Sequence, residues 1–542
     1  MSHEPTDELT IQLAWNRLLA IVEEQAQVLM RTAFSTVVRE AGDLSAGVFD
    51  TQGRMLAQAV TGTPGHVNSM ADAVGKFLRR YPLDGLQPGD VLMTNDPWDG
   101  TGHLNDFTVV TPVYLEQRCV GFFAATSHIA DVGGRGFGPD AHDVFEEGLR
   151  VPISKIFSAG VLNETLMDLI KANVRDPVVA EGDIYSLTAC NDAGATQLLG
   201  LLEDLSLTDL DTIGSAILER SEQAMLEAIR ALPEATAQYT MTIDGYDEPL
   251  TLQASVHVST TGIAVDFSGS AHVSPYGINV PLPYTQAYAS FGVRCLVGGD
   301  IPNNAGSLGC IDVRAPEGSI LNAPMPRGVS ARHAIGQMLP DVVLGCLSQI
   351  IPHDVPAEGA SCIWNPVLRS EVGAQHEFVI NPIFNGGTGA RPHADGLSTT
   401  AFPSGVRTTS IEVNEATAPL VFWSREFAPG SGGRGAHRGG LGQHIRLAHR
   451  YAEPFVISKM FDRIAHPARG AGGGASGLPG QVYFEDDDGA CTVLAGKGRD
   501  VIPPQATLHL QTPGGGGYGP ENDRSPEAIV RDQRAEVLST DV

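Results

Sequence analysis

Basic residues are scarce in this chain of 542 residues: 35 Lys and Arg stand against 63 Asp and Glu, a formal net charge of −28 at pH 7. Such a surface repels phosphate backbones and anionic lipid, so neither nucleic acid nor a membrane is an expected partner. No uninterrupted apolar stretch is long enough to cross a bilayer. The polar start "MSHEPTDEL" lacks an apolar signal core, which makes the cytoplasm the expected location. The seven cysteines include no CxxC pair, and several lie in apolar runs such as "FGVRCLVGG" and "VVLGCLSQI". That excludes a disulfide framework or zinc ribbon and leaves reduced core thiols. Neither a G-x-x-x-x-G-K-[ST] phosphate loop nor a G-x-S-x-G nucleophile elbow occurs, so the chain shows no nucleotide site or serine-hydrolase signature of its own.

What is present is enough apolar residue, 42%, to build a large interior, and 62 glycines. The length calls for two to four domains. Ile11, Trp15, Leu18, Leu19, Val22, Ala26 and Leu29 fall on one helical stripe, with Thr6 and Asp7 as capping candidates. "DLSAGVFDTQGRMLAQA" reads as two short strands around a Gln52-Gly53 turn, followed by an amphipathic helix from Val67 to Leu78. Residues 163–232 are mostly helical in pattern. From Pro233 the text alternates apolar and polar like an antiparallel meander, helix returns near "HAIGQMLPDVVLGCLSQII", and the last third is rich in glycine and strand-like. The expected fold is α+β and multi-domain. It has a helix-containing N-terminal half with a metal-bearing β-hairpin and a β-rich, Gly-rich C-terminal half. The expected divisions are 1–235, 236–375 and 376–542, with a mobile polar tail after Tyr518.

"DPWDGTGHLNDFTVV" gathers Asp96, Asp99, His103 and Asp106 around glycines at the mouth of an apolar run. "FTVVTPVY" and "CVGFFAATSH", separated by "LEQR", form an expected antiparallel hairpin, with Pro112 suggesting an edge strand. Pairing Tyr114 with Cys119 and counting outward sets His128 opposite the His103–Asp106 segment, so the open end would collect His103, Asp106 and His128. Two imidazoles and a carboxylate suit zinc, manganese or iron and leave positions open for water or substrate. The competing reading makes them loop residues that cap strand ends and bond backbone amides. "DVGGRGFG" (131–138) is either a structural glycine loop or an anion nest. Most of His142, Asp143, Glu146 and Glu147 of "DAHDVFEEGL" read as solvated helix or turn residues. Arg391, His393, Arg434 and Arg438 read as loop stitching ahead of a carboxylate or phosphate site, and "TPGGGGYGP" as backbone that closely approaches a ligand or a neighbouring subunit.

Six segments occurring in order, "TNDPWDGTGHLNDFTVVTPVY", "SHIADVGG", "DVFEEGLRVP", "DIPNNAGSLGCIDVRAPEGSILN", "GGTGARPHADG" and "QTPGGGGYGP", resemble the hydantoinase B/oxoprolinase family. The resemblance implies a metal-binding catalytic B subunit of an ATP-dependent cyclic amide hydrolase, acting on hydantoins, lactams or oxoproline. It implies an actin-like A subunit that binds ATP and phosphorylates the substrate, hence a hetero-oligomer. The family's H-x-x-D and following histidine map onto His103, Asp106 and His128, and its upstream aspartate onto Asp43 as a fourth ligand. His128 and Asp131 carry the implied catalytic roles, Asp131 orienting His128 or serving as a base. Leu44 and Trp98 replace the family's usual aromatic and tyrosine beside this site. Ketone carboxylase large subunits belong to the same family, so carboxylation of a phosphoenol is the alternative, and a non-catalytic scaffold is the third reading.

Overall fold

The first apolar stripe becomes the helix Glu8–Thr32 in a computed structural model of the protein, described over residues 8–361 and 363–538; the expected caps Thr6 and Asp7 lie outside the described residues. Its buried face rests on the helix Pro177–Asp204, and both lie on one side of a seven-stranded antiparallel sheet. That sheet contains β1 (Leu44–Phe49), β2 (Met55–Gln58), β3 (Val91–Thr94), β4 (Asp106–Leu115), β5 (Arg118–His128), β6 (Ser154–Ser158) and β7 (Val161–Leu162), in the order β2-β1-β5-β4-β3-β6-β7. Alternation along β4 and β5 decides which helix each residue meets. Phe107, Val109 and Ala125 pack with Ala26, Leu29 and Ile184, whereas Val110, Phe122 and Ala124 pack with Met70, Val74 and Phe77 of the helix Pro64–Arg80. Both faces are covered, which is why these strands read as nearly continuous apolar runs.

The hairpin forms as its residues suggest, with one refinement. Tyr114 pairs with Cys119, but an irregularity between Val113 and Tyr114 advances the register, so His128 faces Asp106. Plain counting would have set it opposite Asn105. Pro112 does not mark an edge, because β4 is interior. The ladder to β3 involves Thr108, Val109 and Val110, so it has ended before the proline is reached.

The region expected to be helical contains the helices Glu164–Asn173, Pro177–Asp204 and Asp211–Arg230. Asn163 and Asp176 cap the first two, accepting from the N–H groups of Leu166 and Val179. The meander is β8 (Ala235–Ile243), β9 (Leu250–Ser259) and β10 (Gly262–Asp266), joined in parallel by β11 (Ile311–Arg314). The helices Leu282–Arg294 and Leu339–Leu347 contribute to its core. Two further sheets follow. One orders β13 (Val379–Ile380), β12 (Val367–Ser370), β16 (Phe455–Met460) and β19 (Lys497–Ile502). The other orders β14 (Leu420–Phe427), β15 (Gln443–His449), β20 (Thr507–Gln511), β17 (Gln481–Glu485) and β18 (Cys491–Val493). A single cluster of buried apolar side chains runs from Met225 to Leu510 through the middle and C-terminal segments and takes in Phe137.

What "TPGGGGYGP" approaches is the chain itself. Gly515, Gly516 and Gly517 donate to the carbonyls of Gly440, Glu358 and Ala475, while Gly433, Ala390 and Ala471 donate back to Gly515, Gly516 and Gly517. The segment is the axis of a bundle of extended backbones. A Cβ at Gly515 would lie 1.9 Å from the Thr388 carbonyl oxygen, so any side chain there is sterically excluded. The tail also differs from expectation: residues 526–534 form a helix, with Arg524 and Arg531 both paired to Asp395. Of the cysteines, Cys190, Cys310 and Cys346 are buried as expected, whereas Cys295 and Cys491 are exposed.

Candidate metal centre

Three neighbouring strands deliver the sequence-predicted ligands to one end of the large sheet. Asp43 immediately precedes β1, and its carbonyl accepts from the His128 N–H at 3.3 Å; His128 ends β5, and Asp106 opens β4 opposite it. His103 lies one turn upstream of Asp106. One ligand atom each from His103, Asp106 and His128 falls within 4.8 Å of the others, and all three residues are buried. His103 Nε2 is 2.7 Å and His128 Nδ1 3.3 Å from the same oxygen, Asp106 Oδ1.

The second oxygen of Asp106 is equally committed. Oδ2 accepts from Thr101 Oγ1 at 2.6 Å and pairs with Arg332 Nη2 at 2.5 Å and His66 Nε2 at 2.9 Å. Burial alone would push the Asp106 carboxyl up, but His66 and Arg332 beside it outweigh that and hold it well below the usual carboxylate range. His66 spans two carboxylates. Its Nδ1 stands 3.6 Å from Asp43 Oδ1, an ionic contact without a hydrogen bond. Burial opposes the charged His66 ring, yet Asp106 and Asp43 raise its pKa overall. His103 goes the other way, pushed down to about 3 by burial and then by the Arg332 charge, so it is a neutral imidazole at pH 7.

The tautomer of His103 follows from its surroundings. Nδ1 lies 3.0 Å from the Ser330 carbonyl oxygen, which can only accept, so Nδ1 carries the hydrogen and Nε2 presents a lone pair. That lone pair faces the carboxylate oxygen of Asp106. Two acceptors at 2.7 Å repel unless a cation lies beside both, and a ligating histidine typically donates its other N–H to a carbonyl in this way. The donor set therefore fits a divalent transition ion.

Phe137 wedges against this group, its ring 5.6 Å from His103, 5.1 Å from His128 and stacked 5.6 Å from His333. Arg332 also donates to the Thr101 carbonyl and lies 4.0 Å over the Tyr284 ring. Above the cavity, Ile363, Ile383 and Val406 close on Ala41 in a small apolar cluster. The free space left inside is about 30 Å³, room for ~2 water molecules.

Other residues fall elsewhere. Asp131 does not join the group: its carboxylate accepts from the Gly133 N–H and pairs with Arg175 at 2.5 Å, which secures the glycine loop. The Asp131 side chain is thus committed to Arg175 and not to His128. Trp98 and Leu44 are not cavity walls either: the Trp98 indole donates to the Ala323 carbonyl, and Leu44 packs in the sheet core. Residue-by-residue reading missed His66, Arg332 and Phe137. His66 carried a signal, since it continues the buried stripe Met70, Ala73 and Phe77 of its helix.

The chain matches the family described as Hydantoinase B/oxoprolinase over residues 7–521. It is 27% identical to the B component of a putative D-/L-hydantoinase from a Pseudomonas species, over 97% of this chain and 92% of that one. It is 29% identical to a 5-oxoprolinase of Pestalotiopsis fici, covering 96% of this chain but 42% of that longer protein. Its fold resembles the crystal structure of the ATP-dependent caprolactamase from Pseudomonas jessenii with a TM-score of 0.89, at 22% identity, over 99% of this chain and 95% of that one. With one family spanning nearly its whole length, the chain belongs to the Hydantoinase B/oxoprolinase family.

Proposed function

We propose that this chain is the hydrolytic B-type subunit of an ATP-dependent cyclic amide hydrolase. It would open a hydantoin, lactam or oxoproline ring whose carbonyl oxygen has been phosphorylated by an actin-like, ATP-binding A subunit. Family membership supports the reaction class. The observation that carries the site is the convergence of ligand atoms from His103, Asp106 and His128 to within 4.8 Å of one another in a buried place, with His103 Nδ1 on the Ser330 carbonyl and its Nε2 facing Asp106 Oδ1.

His103, Asp106 and His128 would hold zinc, manganese or iron, with Asp43 as the fourth ligand from the same sheet end. The ion would supply Lewis acidity and a water acidic enough to ionise near neutral pH. The chain's own residues prepare the surroundings. Ser330 fixes the His103 tautomer, Arg332 and Thr101 pin the Asp106 carboxylate, and His66 keeps Asp43 and Asp106 from repelling each other. Phe137, Ile363 and Val406 supply apolar wall to the cavity. Phosphorylation explains the ATP requirement: it gives a leaving group to a carbon that amide resonance otherwise protects.

Reconstitution with the A-type partner tests the reading. His128→Ala should lose bound metal and product formation while still co-eluting with the partner. Normal turnover by a metal-free His128→Ala complex would overturn it. Incorporation of labelled bicarbonate into an acid would replace hydrolysis with carboxylation, and a chelator that lowers melting temperature without slowing the assembled complex would reduce the chain to a scaffold.

A further inference from the structure

Glu147 was expected on a solvated turn, but it is 3% exposed, beneath the loop that carries Ser330 and Arg332. We propose that Glu147 is a positioning residue whose carboxyl oxygen fixes the 329–332 segment and thereby sets the tautomer of His103 and the placement of Arg332. The inference rests on the reading of His103 as a metal ligand.

The chain of contacts is short. Glu147 Oε1 accepts from the backbone N–H groups of Val329, at 2.5 Å, and Ser330, at 2.7 Å. The same segment then acts on the candidate centre twice: the Ser330 carbonyl takes the His103 Nδ1 hydrogen, and Arg332 reaches Asp106 Oδ2. Glu147 fixes the peptide planes that carry the Val329 and Ser330 N–H groups, so only the φ and ψ of Ser330 stand between that anchor and the next plane, which carries the Ser330 carbonyl and whose Ala331 N–H donates to the Gly277 carbonyl. Glu147 is itself anchored. Its turn, Val144–Glu147, is capped by Asp143, and the Val144 N–H donates to the Pro326 carbonyl, tying the turn to the start of the same loop. The approach is close enough to demand glycine: a Cβ at Gly328 would lie 2.7 Å from the Ala141 carbonyl oxygen and 3.2 Å from Glu147 Oε1.

Among the described residues Glu147 has no cationic partner within salt-bridge distance, and its Oε2 is buried without a hydrogen bond. Burying a carboxyl in this way is costly unless its fixed oxygen does something an apolar side chain would not. The task assigned here is to hold two adjacent N–H groups at once, which a carbonyl oxygen of the same reach can also do.

Histidine-labelled, metal-free protein gives a readout independent of turnover. Long-range ¹⁵N–¹H spectra distinguish the two neutral imidazole tautomers, with the His103 signals identified by their loss in His103→Gln. Wild type and Glu147→Gln should both show His103 protonated at Nδ1. Glu147→Ala, and Glu147→Asp whose carboxylate is one methylene too short, should show the Nε2–H form or a mixture. A titration with zinc against a chromophoric chelator should give affinity about 10- to 100-fold weaker in those two variants and near wild type in Glu147→Gln. Should Glu147→Ala fail to accumulate folded, Glu147→Asp carries the comparison. Wild-type tautomer and affinity in the folded variants would overturn the inference while leaving the metal site standing, as would loss of the Nδ1–H form in Glu147→Gln. Failure of wild type to bind zinc, with the tautomer pattern as described, would remove the metal reading and leave Glu147's role intact.

Discussion

His103 and Asp106 meet through atoms that should repel: Nε2 and Oδ1 are 2.7 Å apart, and the ring's only hydrogen already goes to the Ser330 carbonyl. A divalent ion that binds there binds the folded state alone, so mass action must raise its stability. Chelator-treated protein should melt at a higher temperature as zinc or manganese is added, with about 2.7 kcal/mol gained at a free concentration 100 times the dissociation constant. His103→Ala should abolish the gain. Identical melting curves with and without metal would sink the assignment.

Asp106 concentrates more charge than any neighbour can replace. Removing its side chain leaves the Arg332 guanidinium and the His66 ring buried without their acceptor. Asp106→Ala should therefore cost about 3–5 kcal/mol in urea unfolding at pH 7. Combining it with Arg332→Ala should cost less than the two losses added, because the unpaired charge disappears as well. Simple additivity would mean the two side chains act separately.

Gly515 sits where backbones crowd on every side, and Gly299 has open space around its missing Cβ. Gly515→Ala should lower stability by about 3 kcal/mol or prevent folding, since a rigid backbone rather than a movable side chain must give way. Gly299→Ala should fall within about 0.5 kcal/mol of wild type. Equal melting temperatures for the two variants would show that the bundle is loose.

Burial pushes the Glu147 carboxyl up to about 8, outweighing the Ser330 and Val329 N–H groups that favour its charged form. In the unfolded chain the value reverts to 4.5, so between the two the folded state keeps a proton the unfolded state has released. The stability that this group contributes is full below about pH 4.5 and is lost by about pH 8. Glu147→Gln has no such dependence. Its stability relative to wild type should climb across that window, by up to about 1.4 kcal/mol per pH unit. Chemical unfolding at several pH values checks this, and a flat difference would refute it.

Much of the N-terminal half could be read directly because apolar period and burial coincide there. The stripe from Ile11 to Leu29 and the two strands around Gln52-Gly53 follow from local pattern alone. The hairpin brought His128 to Asp106 by counting, short by the one residue that the irregularity at Val113 supplies. Arg332, by contrast, reaches Asp106 from 226 positions away, and no local spacing encodes that meeting. Glu147 misled for a related reason: "FEEG" looks solvated until the 329–332 loop is laid over it. The glycines of the C-terminal bundle announce a close approach but cannot say to what, because a missing side chain carries no pattern. The helix 526–534 did carry local signals, Ser525 as its cap and Pro526 at its first position, but its anchor Asp395 lies far upstream.

The chamber beside His128 holds ~2 waters, while even a five-membered lactam is several times bulkier. If the ring-opening reaction proposed above takes place there, walls such as Ile363 and Val406 would have to draw back to admit the reagent. Such an opening would be a step every guest shares whatever its chemistry, and its rate would set a ceiling on throughput that sharper catalysis inside could not lift.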